Sequence, residues 1–354
     1  MKLLHVVGAR PNFMKAAPVL QALAARGTQQ VLVHTGQHYD AKMSDIFFQH
    51  LGMPAADVNL GVGSASHTVQ TAEVMTRFEP VIAEHRPDWV LVYGDVNSTM
   101  AAALVCAKML VKVAHVEGGL RSGDRTMPEE INRLVTDAIA DLLLTPSEDA
   151  DRNLRAEGVP ETRIVRVGNV MIDTLVRLLP IAREREVPRG RYALVTLHRP
   201  SNVDEPARLQ TLFETVAAIS RDIPIVFPIH PRTREALRRL QIDVPGTLTL
   251  MEPLGYLDFL ALQAHATLVI TDSGGVQEET TYLGIPCFTL RPNTERPVTV
   301  TTGTNVLIGD DLERLRREVA LVLQGKRKEA GIPELWDGHA AERIADVLLG
   351  GGRG

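Results

Sequence analysis

Asp95 and Glu117 each close an apolar run in the first half of the chain, and Glu129 opens a helical pattern shortly after. In an open parallel sheet the carboxyl ends of the strands face the ligand crevice. Acids grouped there can take a proton from one face of a substrate carbon and return one to the other, which needs two groups or one that moves. Each has a plainer reading. Asp95 can cap the helix that begins near Asn97, and first-turn carboxylates such as Glu129 often serve only the helix dipole. Three acids at neighbouring strand ends are harder to explain as caps.

The second half carries the complementary feature, Val269-Ile-Thr-Asp-Ser-Gly-Gly-Val-Gln-Glu-Glu279. An apolar run ends in Ser273-Gly274-Gly275 and a helix follows. Backbone N–H groups at a helix start, with roughly half a positive charge from the dipole, suit a phosphate. Gly274 and Gly275 let an anion approach the backbone, and Glu278 or Glu279 can hydrogen-bond a ribose diol. Arg10, after the turn at Gly8, and Arg296, in Asn293-Thr-Glu-Arg-Pro297, are guanidinium candidates for a diphosphate. Gly118 and Gly119 are read as space for a ligand beside Glu117. His198 ends the first strand of the second half, and His230 stands in a similar but weaker context.

These residues need a scaffold of alternating strands and helices. Short Val/Ile/Leu-rich runs lie at 3–8, 30–36, 89–95, 112–117, 142–146 and 163–168. A second series lies at 192–198, 223–228, 247–252, 267–271, 286–290 and 304–308. Their lack of strict alternation predicts strands buried on both faces. Helical patterns separate them, for example 13–26, 68–85, 98–110, 128–143, 207–220 and 311–323. Repeated βα units predict an α/β fold of two Rossmann-like domains. The expected division is 1–170 and 171–337. The tail 350–354 is expected to be disordered.

Composition excludes several classes. Net charge is −5, which argues against a nucleic-acid partner and an anionic membrane surface. The apolar share of 45% supports large cores, while aromatics at 4% leave packing to aliphatic side chains. Cys106 and Cys287 both lie in apolar runs, which fits a reducing, cytoplasmic setting without disulfides. The first residues read as a strand rather than a signal peptide, and no run reaches membrane-span length. Gly61-Val-Gly63 lacks the third glycine and the strand–helix context of a dinucleotide fingerprint, so no nicotinamide cofactor is expected. No metal is expected either: His34 and His38, four apart at a strand end, are poorly placed to share one.

Taken together the motifs resemble the non-hydrolysing UDP-N-acetylglucosamine 2-epimerases. The matching pieces are Gly8-Ala-Arg-Pro-Asn12, His34-Thr-Gly-Gln-His-Tyr39, Gly94-Asp95, His115-Val-Glu-Gly-Gly-Leu-Arg-Ser122, Met127-Pro-Glu-Glu-Ile-Asn-Arg133, Thr271-Asp-Ser-Gly-Gly-Val-Gln-Glu-Glu279 and Asn293-Thr-Glu-Arg-Pro297. They run in the family's order over nearly the whole chain. The resemblance implies a GT-B-like architecture with the active site in the interdomain cleft, a homodimer, and a C-terminal helix, at about 338–350, crossing back to join the first domain. By position it implies that Asp95, Glu117 and Glu129 are the catalytic acids and His198 the active-site histidine. It makes Arg10, Ser273, Gly274, Gly275, Glu279 and Arg296 UDP-binding positions, and Lys15 a basic group near the sugar. Gln70, Arg199 and His230 fall where several bacterial members bind a second, activating UDP-sugar.

The chain departs from the family in places. Asn12 stands where many members have an acid, and Gly118 where many have alanine. Pro200 and Ser201 interrupt the His-Arg-Arg-Glu run of several bacterial members, which puts retention of the activating site in question. The implied substrate is a UDP-sugar, UDP-N-acetylglucosamine first, epimerised at C2 through elimination and re-addition of UDP. A related substrate such as a UDP-2,3-diacetamido-glucuronate and a GT-B glycosyltransferase remain the alternatives, since fold alone does not separate them.

Overall fold

The computed structural model of the chain describes residues 1–37, 51–241 and 244–350; His38, Tyr39 and residues 351–354 lie outside them. The chain divides into two compact units. One comprises Met1–Arg177 with the final segment from Glu334, and the other Leu178–Pro333.

The first unit is built on seven strands: β1 (Lys2–Val7), β2 (Gln29–His34), β3 (Val58–Asn59), β4 (Trp89–Tyr93), β5 (Lys112–Val116), β6 (Leu142–Thr145) and β7 (Ile164–Arg166). Their order in the sheet is β3-β2-β1-β4-β5-β6-β7, and every pairing is parallel. The second unit holds β8 (Ala193–Thr196), β9 (Ile225–Pro228), β10 (Leu248–Met251), β11 (Leu268–Thr271), β12 (Cys287–Thr289) and β13 (Asn305–Leu307). Here the order is β10-β9-β8-β11-β12-β13, again all parallel. In both sheets the order reverses beside the first strand, which makes the β1/β4 and β8/β11 edges the topological switch points where ligands dock.

All twelve apolar runs form strands. They are trimmed at the ends because the last residues of several runs turn away from the ladder, as at Gly8, Asp95 and Glu117. β3 carries no signal of its own, since a two-residue strand with one valine cannot show a period. The run at 128–143 ends as a helix at Ile139. Ala140 turns extended, and the apolar residues from Leu142 are drawn into the sheet as β6.

Each unit has its own aliphatic core. In the first, Leu4, Val6, Val90 and Val92 pack with Val74, Phe78 and the alanines of the helix Asn97–Lys108, whose small side chains let it lie close to the sheet. In the second, Ala193, Val195, Ile225, Phe227, Leu268 and Ile270 pack with Phe213 and Val216. Cys106 and Cys287 are wholly buried, and burial pushes their thiols up to about 12 and about 11, so neither is primed as a nucleophile. Among the described residues no helix is long and apolar enough to cross a membrane.

Candidate active site

In the first unit the ends of β1, β4 and β5 lie side by side, because those strands are neighbours. Arg10 begins the helix Arg10–Ala24 directly after the β1 turn. Asn12 locks that turn: its Oδ1 accepts from the Gly8 and Ala9 amides at 3.0 and 3.2 Å, and its Nδ2 donates to the Tyr93 carbonyl at 2.8 Å. The β1 and β4 ends are thereby tied together.

Asp95 does not cap a helix. The helix Asn97–Lys108 begins after Val96 with no side-chain capping bond. The carboxylate instead accepts from Arg133 Nε at 3.0 Å and Nη2 at 2.6 Å, a two-pronged contact typical of strong guanidinium recognition. Arg133 Nη1 reaches Glu130 at 2.6 Å. Glu130 also accepts from the Ser122 amide and hydroxyl and from the Gly123 amide. Burial pushes the Glu130 carboxyl up, but these donors and Arg133 outweigh it and hold it below the ordinary range. Glu130 is thus a fixed anion that aims Arg133 at Asp95. Glu129 is half-buried on the same first turn of Pro128–Ile139.

Glu117 sits one residue beyond β5 with φ 74, in the left-handed region that a residue with a Cβ rarely occupies. Such a conformation costs about 1–2 kcal/mol and persists where the surroundings impose it. Its amide and that of Gly118 both donate to the Leu144 carbonyl, at 3.0 and 3.2 Å. The side chain is buried and paired with the Lys15 ammonium, itself buried. A Cβ on Gly94 would lie 2.6 Å from Lys15 Nζ and 3.2 Å from Glu117 Oε2, so the pair sits against the peptide that leads into Asp95.

The reading of Gly118 and Gly119 as ligand space is corrected. A Cβ at Gly118 would stand 3.2 Å from Asp137 Oδ1, and one at Gly119 2.6 Å from the Ala150 carbonyl oxygen. These glycines admit the chain's own neighbours. At Gly274 a Cβ would meet Arg296 Nη1 at 2.7 Å, so the missing side chain lets that guanidinium close on the turn.

In the second unit the helix Gly274–Leu283 follows β11, and Ser273 at its cap makes no side-chain bond to the first turn. Arg296 is buried beside this turn, 2.8 Å from Glu278 Oε1 and 2.5 Å from Glu295 Oε1. Arg291 balances Glu295 from its other side at 2.7 Å. Glu279 accepts the Tyr256 hydroxyl at 2.8 Å. Burial pushes its carboxyl up to about 7, against the hydrogen bond from Tyr256 and with the adjacent Glu278 charge adding to the rise.

His198 is half-exposed, and its Nδ1 lies 3.2 Å from Asp272 Oδ1. The same buried carboxylate accepts from the His198 and Arg199 amides and from Asn202 Nδ2, all at 3.0–3.1 Å. Asp272 therefore holds both the ring and the loop that carries it. Asp272, Arg133, Tyr256 and Glu295 were not singled out from the sequence. Asp272 stands in the same Thr271-Asp-Ser-Gly-Gly stretch as Ser273, which is the one signal that pointed to it.

The three residues at the activating-site positions are placed differently. Gln70 is buried, its amide donating to the Gln37 and Gly63 carbonyls at 3.3 and 3.0 Å and accepting from Asn97 at 2.7 Å. Arg199 is half-buried and His230 exposed.

Two doubly wound parallel sheets, one presenting paired carboxylates and the other a helix start beside a buried arginine, define a two-domain α/β enzyme of GT-B-like type. The UDP-N-acetylglucosamine 2-epimerase family model matches residues 21–349. A UDP-N-acetylglucosamine 2-epimerase of Methanocaldococcus jannaschii is 42% identical over 99% of this chain and 100% of its own. A UDP-2,3-diacetamido-2,3-dideoxy-D-glucuronate 2-epimerase of Pseudomonas aeruginosa is 41% identical over 98% of this chain and 99% of its own. The crystal structure of the M. jannaschii enzyme in complex with UDP-GlcNAc and UDP superimposes with a TM-score of 0.90 at 41% identity, covering 99% of each chain. The chain belongs to the UDP-N-acetylglucosamine 2-epimerase family.

Proposed function

We propose that this enzyme interconverts UDP-N-acetylglucosamine and UDP-N-acetylmannosamine by eliminating UDP and adding it back. The observation that carries the reading is Glu117, forced into a left-handed backbone and paired with Lys15 against the peptide of Asp95. A strained, buried acid beside a second carboxylate fits proton transfer better than packing.

In the forward direction a carboxylate removes the C2 proton. The C–H electrons form the C1–C2 double bond, and the C1–oxygen bond breaks with its pair leaving on the UDP β-phosphate. A 2-acetamidoglucal results. Return of a proton to the other face of C2 and attack of the phosphate oxygen at C1 complete the inversion. Asp95, Glu117 and Glu129 supply the acid and base, with Lys15 as the cation at the sugar. The turn at 273–275, Arg296 and Arg10 hold the diphosphate, Glu279 holds the ribose, and His198 attends the leaving group, oriented by Asp272. Loss of one diphosphate contact is expected to cost roughly 10²–10³ in rate, as for oxyanion donors.

An NMR time course with UDP-N-acetylglucosamine in D2O tests this. Deuterium at C2 and the manno isomer are expected; inversion without solvent label sinks the elimination. Asp95→Asn and Glu117→Gln are each expected to lower turnover by at least ~10²-fold while the fold is kept, checked by rate assay and circular dichroism; near-normal rates in both remove them from the reaction. The 41% identity to a diacetamido-glucuronate epimerase supports a second reading with the same chemistry on that sugar, and the same time course run on both nucleotide sugars separates the two.

A further inference from the structure

Behind the two carboxylates lies a buried chain of polar groups that the proton transfers do not use. His115, in β5, is fully buried, and both ring nitrogens face oxygen acceptors. Nε2 is 2.7 Å from the Gly94 carbonyl, and Nδ1 is 2.6 Å from Asp137 Oδ1. Asp137 Oδ2 accepts from the Gly119 amide at 2.9 Å and from Arg121 Nη1 at 2.7 Å. Arg121 is anchored by Glu157 through two bonds of 2.7 and 2.6 Å.

What these groups touch matters more than the chain itself. Gly94 precedes Asp95, and Gly119 follows Glu117 by two residues. One imidazole with its carboxylate thus joins the peptide that carries Asp95 to the loop that carries Glu117. The Glu117 backbone needs such support, because φ 74 is not a resting conformation for it.

We propose that His115 and Asp137 are positioning residues that set the separation of the Asp95 and Glu117 carboxylates, by clamping the Gly94 carbonyl and the Gly119 amide. The proposal rests on the reading of those carboxylates as the acid–base pair. A misplacement of about 1 Å at a reacting group costs about 10²-fold in rate, so the clamp acts on kcat. Nucleotide affinity, which the same reading gives to the 273–275 turn, Arg296, Glu279 and Arg10, none of them held by the clamp, is untouched.

The test uses the whole protein. His115→Phe keeps the ring volume and removes both nitrogens. Asp137→Asn keeps the size but cannot serve His115, Gly119 and Arg121 together. Turnover, deuterium entry at C2, KM and the Kd of UDP are measured beside thermal melting. His115→Phe is expected to lower kcat and C2 exchange by roughly 10²-fold, with KM and UDP Kd within about twofold. Its kcat–pH profile is expected to shift, which a loss of folded protein alone cannot produce. Asp137→Asn is expected to show a smaller fall of the same kind, and it decides the matter if His115→Phe does not fold. Folded variants with undiminished kcat overturn the clamp, as does a kcat loss matched by an equal loss of UDP binding. A wild-type protein without C2 exchange sinks the functional reading as well; a wild type that exchanges beside an undiminished variant sinks the clamp alone.

Discussion

Asn12 illustrates what one residue settles. Its amide both accepts, from Gly8 and Ala9, and donates, to the Tyr93 carbonyl. An ionised acid at this position would have no proton for that carbonyl, so the amide makes a bond that a carboxylate could not. Glu279 offers a measurable consequence. Its folded pKa of about 7 stands above the ordinary 4.5, so the folded protein holds a proton that the unfolded chain releases. That contribution to stability is complete below 4.5 and is lost as pH rises through 7. Glu279→Gln keeps an acceptor for Tyr256 and cannot ionise. At pH 8 the variant is expected to exceed the wild type in urea-unfolding free energy by about 1–3 kcal/mol, with the gap closing near pH 5. A gap independent of pH defeats the assignment.

At the level of elements, the last helix shows how a distant segment is recruited. Ala340–Leu348 clusters with the first unit through several ties. Asp173 accepts from the Ala340 and Ala341 amides at 3.1 and 2.6 Å, which satisfies the helix start. Arg26 reaches Asp346 at 2.6 Å, and the Trp336 indole donates to the Pro146 carbonyl at 2.9 Å. Asp173→Ala is expected to cost about 1–2 kcal/mol, the scale of a lost helix cap. Hydrogen exchange is the direct readout: amides of Ala340–Leu348 are expected to exchange faster in the variant, and unchanged protection there counts against the cap. A C-terminal helix returning to the first domain was implied by the family resemblance. The carboxylate that receives it was not, because Asp173 lies 167 residues earlier and nothing local marks it.

For the molecule as a whole, two separately cored units imply that a nucleotide bound by one of them stabilises that one. With UDP at 100 times its Kd the binding unit gains about 2.7 kcal/mol. Hydrogen exchange with and without UDP is expected to show new protection across Gly274–Leu283 and at Arg296, and little change at β6 and β7. Protection confined to the first unit refutes the assignment of the nucleotide to the second.

Strand positions, the repeated βα order, the motif series and the family were legible in the chain alone, because apolar periodicity and short motifs are local properties of consecutive residues. The pairings inside the site were decided only in three dimensions. Asp95 could equally have capped its helix; it meets Arg133 because the fold brings together residues 38 apart. Lys15 meets Glu117 across 102 positions, Glu117 turns left-handed, and Gly119 is filled by Ala150. Strand order and close packing set those distances, and charge, burial and backbone strain follow from distance.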